Sequence, residues 1–175
     1  VEEFRKKNDQ TPIVLMGYLN TFISHIDLVE STSIIDSILV VDIPGELSLK
    51  DYGITNSNIN TISLISPTTT DDRVELIAKN STGFIYYVNL RGVTGSSNLN
   101  IDEIKNNIQK IKKYSDLPTL AGFGIKSAND AKMLAECSDG VIIGSSIVEM
   151  INENANSKEF ARIGEYLKEI KQAIS

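Results

Sequence analysis

Two glycine-rich segments near the C-terminus have the composition of a phosphate-binding site. Residues 122–124 (Gly-Phe-Gly) lie at the end of one apolar run. Residues 144–146 (Gly-Ser-Ser) lie at the end of the next run and lead directly into a helical pattern. Glycine lets a backbone approach a ligand closely, and the free N–H groups at the start of a helix favour an anion. A single glycine serves a tight turn equally well, but the pair on consecutive runs predicts a shared phosphate site.

Other polar positions follow apolar runs as well. Residues 91–98 form a glycine-punctuated stretch that has the length of an active-site lid, although a plain surface loop explains it as well. Asp42 ends a third run, where it serves either as a catalytic or interface carboxylate or as a cap for the following turn. Tyr18 and Asn20 place a phenol and an amide at the end of the first run.

The single histidine and the single cysteine point to no chemistry of their own. His25 has no carboxylate or cysteine at ligand spacing, which indicates a surface residue. Cys137 lies among Ala and Leu in a helical pattern, as a small core residue does. The sequence contains no metal-binding or P-loop motif.

Six apolar runs of strand length position these segments. They cover residues 12–18, 37–43, 61–66, 83–89, 118–124 and 140–145. The runs are nearly continuous in Val, Ile and Leu, which is typical of parallel strands whose two faces are both buried. We therefore expect helices to cover both faces of a parallel sheet.

Helical patterns separate the runs. The clearest cover 69–79, 100–114, 127–138 and 158–174, and weaker ones cover 22–33 and 46–60. Isoleucine at 101, 104, 108 and 111 gives the second pattern an apolar stripe at helical spacing. Hydroxyl and acidic residues from Thr69 onward, and Ser127, are suited to cap helix starts.

This order predicts one domain over residues 1–175, built as an open doubly wound sheet or as a β/α barrel. Length favours the open sheet, because a barrel typically has about 250 residues. The phosphate pair favours a TIM (β/α)8 barrel, in which that site follows strands seven and eight. The runs would then be strands 3 to 8. Val1 in place of Met, and a charged segment at 1–8 resembling the end of a helix, agree with two strands upstream of Val1.

Composition sets outer limits on function. The chain has 175 residues, 41% apolar and 23% charged, with a formal charge of −6. These values fit a globular domain and argue against a nucleic-acid or anionic-membrane surface. One cysteine suits a reducing cytosol, and no apolar run approaches the roughly 20 residues that cross a bilayer.

Six segments together resemble the tryptophan synthase alpha subunit family. They are 11–20, 40–44, 66–73, 83–95, 116–125 and 139–148, in the family's order and spacing. The resemblance implies a cytoplasmic barrel lyase of tryptophan biosynthesis that cleaves indole-3-glycerol phosphate to indole and glyceraldehyde 3-phosphate. It implies no cofactor or metal in this subunit. The implied partner is a pyridoxal-phosphate beta subunit in an alpha2-beta2 heterotetramer.

The resemblance also implies roles for particular residues. The implied phosphate ligands are Gly95, Gly124, Gly144 and Ser145. The implied substrate pocket consists of Tyr18, Leu39, Val41, Ile65, Tyr86 and Gly122, with Thr94 as the lid residue. Residues 18–20 and the loop after Asp42 fall where the family meets its beta subunit.

The family's catalytic glutamate and aspartate are expected upstream of residue 1, at and after the second barrel strand. The catalytic residues are therefore unknown within the chain itself. The alternative hypothesis is a non-catalytic short form that binds phosphate or the beta subunit.

Overall fold

Strands and helices alternate along the chain in the predicted order. A computed structural model describes residues 1–88, 100–154 and 160–175. The strands are β1 (Val14–Gly17), β2 (Ser37–Val40), β3 (Asn60–Thr61), β4 (Ser63–Ile65), β5 (Ile85–Val88), β6 (Thr119–Gly122) and β7 (Gly140–Val141). The helices are α1 (Glu2–Arg5), α2 (Leu19–Ser24), α3 (Ile26–Ser31), α4 (Asp71–Asn80), α5 (Ile101–Ile111), α6 (Ala128–Ala135), α7 (Ser145–Asn154) and α8 (Ala161–Ala173), with a 3-10 helix at Leu49–Tyr52.

All strand pairs are parallel, and neighbours in the sheet are neighbours in the chain. One sheet has the order β1-β2-β3 and the other β4-β5-β6-β7. The run 60–65 belongs to both, because β3 pairs with β2 and β4 pairs with β5. Within this run the Ile62 N–H donates to the Ile38 carbonyl at 2.9 Å. The described strands therefore follow the sequential order of a barrel wall, without the reversal of a doubly wound sheet.

In the described part of the chain, helices pack on only one face of these strands, in two apolar clusters. In the first cluster, Ile38 and Val40 of β2 are buried with Phe22 of α2 and Val29 of α3. In the second, side chains of β4, β5 and β6 are buried with those of α4, α5, α6 and α8. The prediction that helices cover both faces is wrong for the described residues. The reason is that strands with one face turned to a barrel interior are as apolar as strands between two helix layers.

Three predicted elements differ in length or type. The predicted helix 22–33 is two short helices that meet at His25, whose φ of −125° and ψ of 32° are not helical. The predicted helix 46–60 is reduced to the 3-10 turn, which ends at Gly53 in a left-handed conformation. The last strand stops at Val141, because the chain turns into α7 at Ser145.

Of the two predicted helix caps, the one at Ser127 forms and the one at Thr69 does not, and Asn100 adds a cap that was not predicted. Ser127 forms a capping box with Asp130 at the start of α6, and the Asn100 side chain accepts from the Glu103 N–H at the start of α5. Before α4, Thr69 instead accepts from the Ser66 N–H at 3.1 Å. That helix begins without a side-chain cap, but Asp71 and Asp72 in its first turn suit its positive end.

The N-terminal helix is tied to the amino ends of β1 and β2. Arg5 donates to the carbonyl oxygens of Thr11 and Ile34, each at 2.8 Å, and forms an ion pair with Asp36. The same Asp36 carboxylate accepts from the Ile13 N–H at 2.6 Å. These bonds fix the entry into the two strands on the side opposite to the predicted site.

Candidate functional site

The two predicted phosphate segments leave the sheet side by side. Ala121 of β6 is in register with Val141 of β7, and the Ile142 N–H donates to the Ala121 carbonyl at 2.8 Å. Gly124 and Gly144 each follow that pair by three residues and are both exposed. The carboxyl ends of parallel strands share one edge, so the structure brings these two segments together as predicted.

The two glycines have different physical reasons to be glycine. Gly124 has a φ of +64°, a left-handed conformation that other residues rarely adopt. A side-chain carbon added at Gly144 would meet no atom within 4 Å. A tight turn therefore explains Gly124, whereas packing gives no reason for Gly144, whose exposed backbone is free for a ligand to approach.

The start of α7 supplies the donors of the candidate phosphate site. The Gly144 carbonyl accepts from the N–H groups of Ile147 and Val148 at 3.0 and 3.1 Å, so the helix begins immediately after the glycine. The first N–H groups of a helix have no partner within it, and the helix dipole makes this end positive. Ser145 and Ser146 lie in this first turn.

Gly122 lies against the ring of Tyr86. A side-chain carbon at Gly122 would come within 2.5 Å of the Tyr86 hydroxyl oxygen and of ring atom Cε2. Burial raises the pKa of the Tyr86 phenol. The structure thus brings together two of the predicted pocket residues, with the ring seated over the glycine.

The side chains around Tyr86 form the sheet face that the helices leave uncovered. Tyr86 is in register with Leu64 and Leu120, and in the first sheet Leu39 is in register with Met16. Side chains alternate between the two faces of a strand, so Val41 and Tyr18 share the face of Leu39 and Met16. Leu39 is 3% exposed, while Met16 and Tyr18 are 63% and 64% exposed.

Three residues of this face were not predicted. They are Met16, Leu64 and Leu120, which the register places beside the predicted Leu39 and Tyr86. Alternation along the strand could have found two of them, because Met16 lies two residues before Tyr18 and Leu120 two residues before Gly122. Leu64 had no such signal, since it lies next to the predicted Ile65 and only the register with Tyr86 places it on this face.

Ile65 is the predicted pocket residue that the structure places elsewhere. It is in register with Tyr87 rather than with Tyr86. Its side chain is 2% exposed and lies in the helix-facing cluster with Val74 and Ile77 of α4. Because the side-chain period of a strand is two, a shift of one position moves the residue to the opposite face.

Asp42 acts as a helix cap. Its Oδ1 accepts from the Leu19 N–H at 2.7 Å, at the start of α2. The bond joins the carboxyl end of β2 to that of β1 and satisfies one of the unpaired donors of the helix. Asp42 therefore caps a helix that precedes it in the chain, whereas the sequence offered it as a cap for the turn that follows it.

The remaining candidates fall into two groups. Thr94 and Gly95, together with the predicted lid at 91–98, lie outside the described residues. His25 is exposed, with Nδ1 3.0 Å from the Thr21 carbonyl oxygen. Cys137 packs against the larger apolar cluster as predicted, and burial raises the pKa of its thiol.

Other features of the described chain contribute nothing to this site. A cavity of about 730 Å³ is lined only by polar and charged residues of α5 and its two ends. In the three described ranges, no group of three or more His, Cys, Asp or Glu side chains is arranged to hold a metal ion. None of the described helices is long and apolar enough to span a bilayer.

Comparison with known proteins agrees with this geometry. The family model for the tryptophan synthase alpha chain matches residues 1–175. The tryptophan synthase alpha chain of Neisseria meningitidis serogroup B is 40% identical over 184 aligned residues, covering 99% of this chain and 68% of the relative.

Solved structures show the same relationship. The tryptophan synthase subunit alpha of Legionella pneumophila is 33% identical with a TM-score of 0.83, covering 98% of this chain and 66% of that one. A chain in a structure of the tryptophan synthase a2b2 complex of Pyrococcus furiosus is 29% identical with a TM-score of 0.84. The match covers 98% of this chain and 71% of that one. The chain spans about two thirds of the length of these relatives, and its fold is the parallel α/β fold of these TIM-barrel subunits. It belongs to the tryptophan synthase alpha chain family.

Proposed function

We propose that this chain acts in the cleavage of indole-3-glycerol phosphate to indole and glyceraldehyde 3-phosphate, as an alpha subunit of tryptophan synthase. The observation that carries the proposal is the meeting of three features at one edge of the sheet. The Gly124 loop and the Gly144 helix start lie side by side, and the uncovered apolar face that contains Tyr86 lies next to them. A phosphate and a flat apolar ring are the two ends of this substrate.

The phosphate end would be held mainly by backbone N–H groups. Gly124, Gly144 and Ser145 are the proposed ligands in the described chain, and Gly95, outside the described residues, is proposed as a fourth. Backbone donors at a helix start suit this chain, because its net charge of −6 gives no general attraction for a phosphate.

The indole end would lie on the apolar face. The proposed contacts are Tyr18, Leu39, Val41, Tyr86 and Gly122, with Thr94 in the lid. Their alternation with the helix-facing residues supports this assignment, and the register adds Met16, Leu64 and Leu120. Ile65 is left out because its side chain packs against α4.

The reaction breaks the bond between the indole ring carbon and the glycerol chain. The ring carbon gains a proton, and the neighbouring hydroxyl loses its proton as it becomes the aldehyde. No side chain among the 175 residues is proposed as the acid or the base, because the resemblance places both groups before the third barrel strand. Asp42, the carboxylate that ends β2, is engaged as the cap of α2.

The six strand runs are proposed to be barrel strands 3 to 8 of one domain. The proposed partner is the beta subunit, which carries the pyridoxal phosphate. This subunit is proposed to use no cofactor of its own. We place the two subunits in the cytoplasm. Exposed apolar side chains at the carboxyl edge support a partner surface there, namely Tyr18 and Leu47, with Ile23 on α2.

Indole release from indole-3-glycerol phosphate tests the activity. We expect no release by the 175-residue chain, because a missing acid or base each costs about 10² to 10⁴-fold. An N-terminal extension of two strand–helix units from a family member should restore release, and the beta subunit should increase it. Turnover by the 175-residue chain would contradict the assignment and make Asp42 the first carboxylate to test. Substrate binding with no release by the extended chain would favour the non-catalytic short form.

Binding of sn-glycerol 3-phosphate tests the anion site separately. Gly144→Ala should weaken binding without lowering the melting temperature, since the added carbon meets no protein atom. Gly164→Ala on α8 is the matched control, because it too adds a carbon in open space. The control should leave binding unchanged and raise stability by about 0.5 to 1 kcal/mol. Equal binding by both variants would show that the site lies elsewhere.

A further inference from the structure

The Gly124 loop is held on one side by α6. The Asp130 carboxylate accepts from the N–H groups of Lys126 and Ser127 at 3.2 and 2.9 Å. In return, the Ser127 hydroxyl accepts from the Asp130 N–H at 3.2 Å. The residues that follow Gly124 are therefore fixed to the start of α6, and the loop should move with that helix.

Apolar packing and few hydrogen bonds connect the same loop to α7. Ile147 and Met150 of α7 pack against the cluster that contains Phe123 and Ile125. The ladder between β6 and β7 consists of two residue pairs and ends at the bond from the Ile142 N–H to the Ala121 carbonyl. Beyond it, in the described part of the chain, one hydrogen bond joins 122–127 to 143–146. In that bond the Ser146 hydroxyl donates to the Ile125 carbonyl at 2.5 Å.

We propose that Ser146 is a positioning residue of the phosphate site, whose hydroxyl sets the separation between the Gly124 backbone and the first turn of α7. The inference rests on the proposed function and adds a positioning side chain to the proposed backbone ligands. The accepting carbonyl belongs to the residue directly after Gly124, so the bond also limits rotation of the left-handed glycine.

The hydroxyl of Ser146 acts through geometry rather than as a ligand. Its proton is donated to the Ile125 carbonyl and is not available to an anion, which would instead bind the backbone N–H groups of the first turn. Two groups of donors on separate elements bind one phosphate well only if their spacing is already correct before binding. Loss of the hydroxyl should therefore weaken phosphate binding while every proposed ligand is still present.

Affinity for sn-glycerol 3-phosphate, measured by calorimetry on the full 175-residue chain, tests the inference. Ser146→Ala should bind roughly three- to tenfold more weakly, which is the range expected for one net hydrogen bond. Ser146→Thr keeps a hydroxyl and should bind within about twofold of the wild type.

Ser138→Ala is the matched control. The Ser138 hydroxyl donates to the carbonyls of Leu134 and Gly140, at the opposite end of β7. Its removal should lower the melting temperature about as much as Ser146→Ala does, with no change in affinity.

Three results would overturn the inference. Equal affinity of Ser146→Ala and wild type would show that the hydroxyl does not position the site, although the site itself would stand. Equal weakening by Ser138→Ala would show a general loss of stability. Absence of binding by the wild type would overturn the proposed anion site together with the inference.

Discussion

The single residue Asp42 has a structural role that can be tested by mutation. Its side chain caps α2 through the Leu19 N–H. Asp42→Ala should lower the free energy of unfolding by about 1 kcal/mol, the usual effect of losing a cap, and Asp42→Asn should retain most of it. Chemical denaturation of the two variants measures the difference. An equal loss in both would indicate that the charge, not the acceptor, matters at this position.

The residue types at the site were readable from the sequence, but their contacts were not. Glycines at 124 and 144 indicated close backbone approach, and both lie at the predicted edge of the sheet. The approach of Gly122 to the Tyr86 ring depends on how two strands are staggered, which no local pattern reveals. Ile65 shows the same limit, because one step of register decides which face a side chain joins.

At the scale of elements, the capping box of α6 should respond to acid. Burial of Asp130 raises the pKa of its carboxyl, but hydrogen bonds from Ser127 and Lys126 outweigh this, and the net shift is below the ordinary value of 3.8. A carboxyl whose pKa is lower in the folded state stabilises the protein fully above its unfolded pKa. That contribution is lost as the pH falls through the folded value.

We therefore expect wild type and Asp130→Ala to differ most in free energy of unfolding above about pH 5 and to converge below pH 3.8. Urea denaturation across this range measures the difference. A gap that stays constant down to pH 2 would contradict a role for the ionised carboxylate.

Long periodic elements were predicted well, and short ones were not. The isoleucine stripe of α5 and the capping serine of α6 are local signals, so both helices lie where predicted. The break at His25 and the 3-10 turn before Gly53 arise in segments with weak periodicity, where tertiary contacts decide the backbone path.

At the scale of the molecule, the described core is divided unequally. The cluster around β5 and β6 contains sixteen buried residues, whereas the cluster around β2 contains eight. Amide hydrogen exchange should accordingly show slower exchange in β5 and β6 than in β1 and β2, because fewer apolar contacts must open in the smaller cluster. The same exchange rate in all four strands would indicate that the two clusters unfold as one unit.

The barrel-type arrangement was predictable because its evidence is repeated along the chain. Six apolar runs and the two glycine segments at the last two strand ends outweighed the short length of the chain, and the sequential order of the described strands agrees with them. The one-sided placement of helices was not predictable from hydrophobicity, since both faces of the strands are apolar.

Titration of the ¹⁵N-labelled chain with sn-glycerol 3-phosphate, followed by amide chemical shifts, tests the central claim most directly. The claim is that the carboxyl ends of β6 and β7 form one anion site. The amides of Gly124, Gly144 and Ser145 should shift together with a single dissociation constant, while those of the α5 surface stay in place. Shifts confined to α5, or different constants for Gly124 and Gly144, would contradict a shared site.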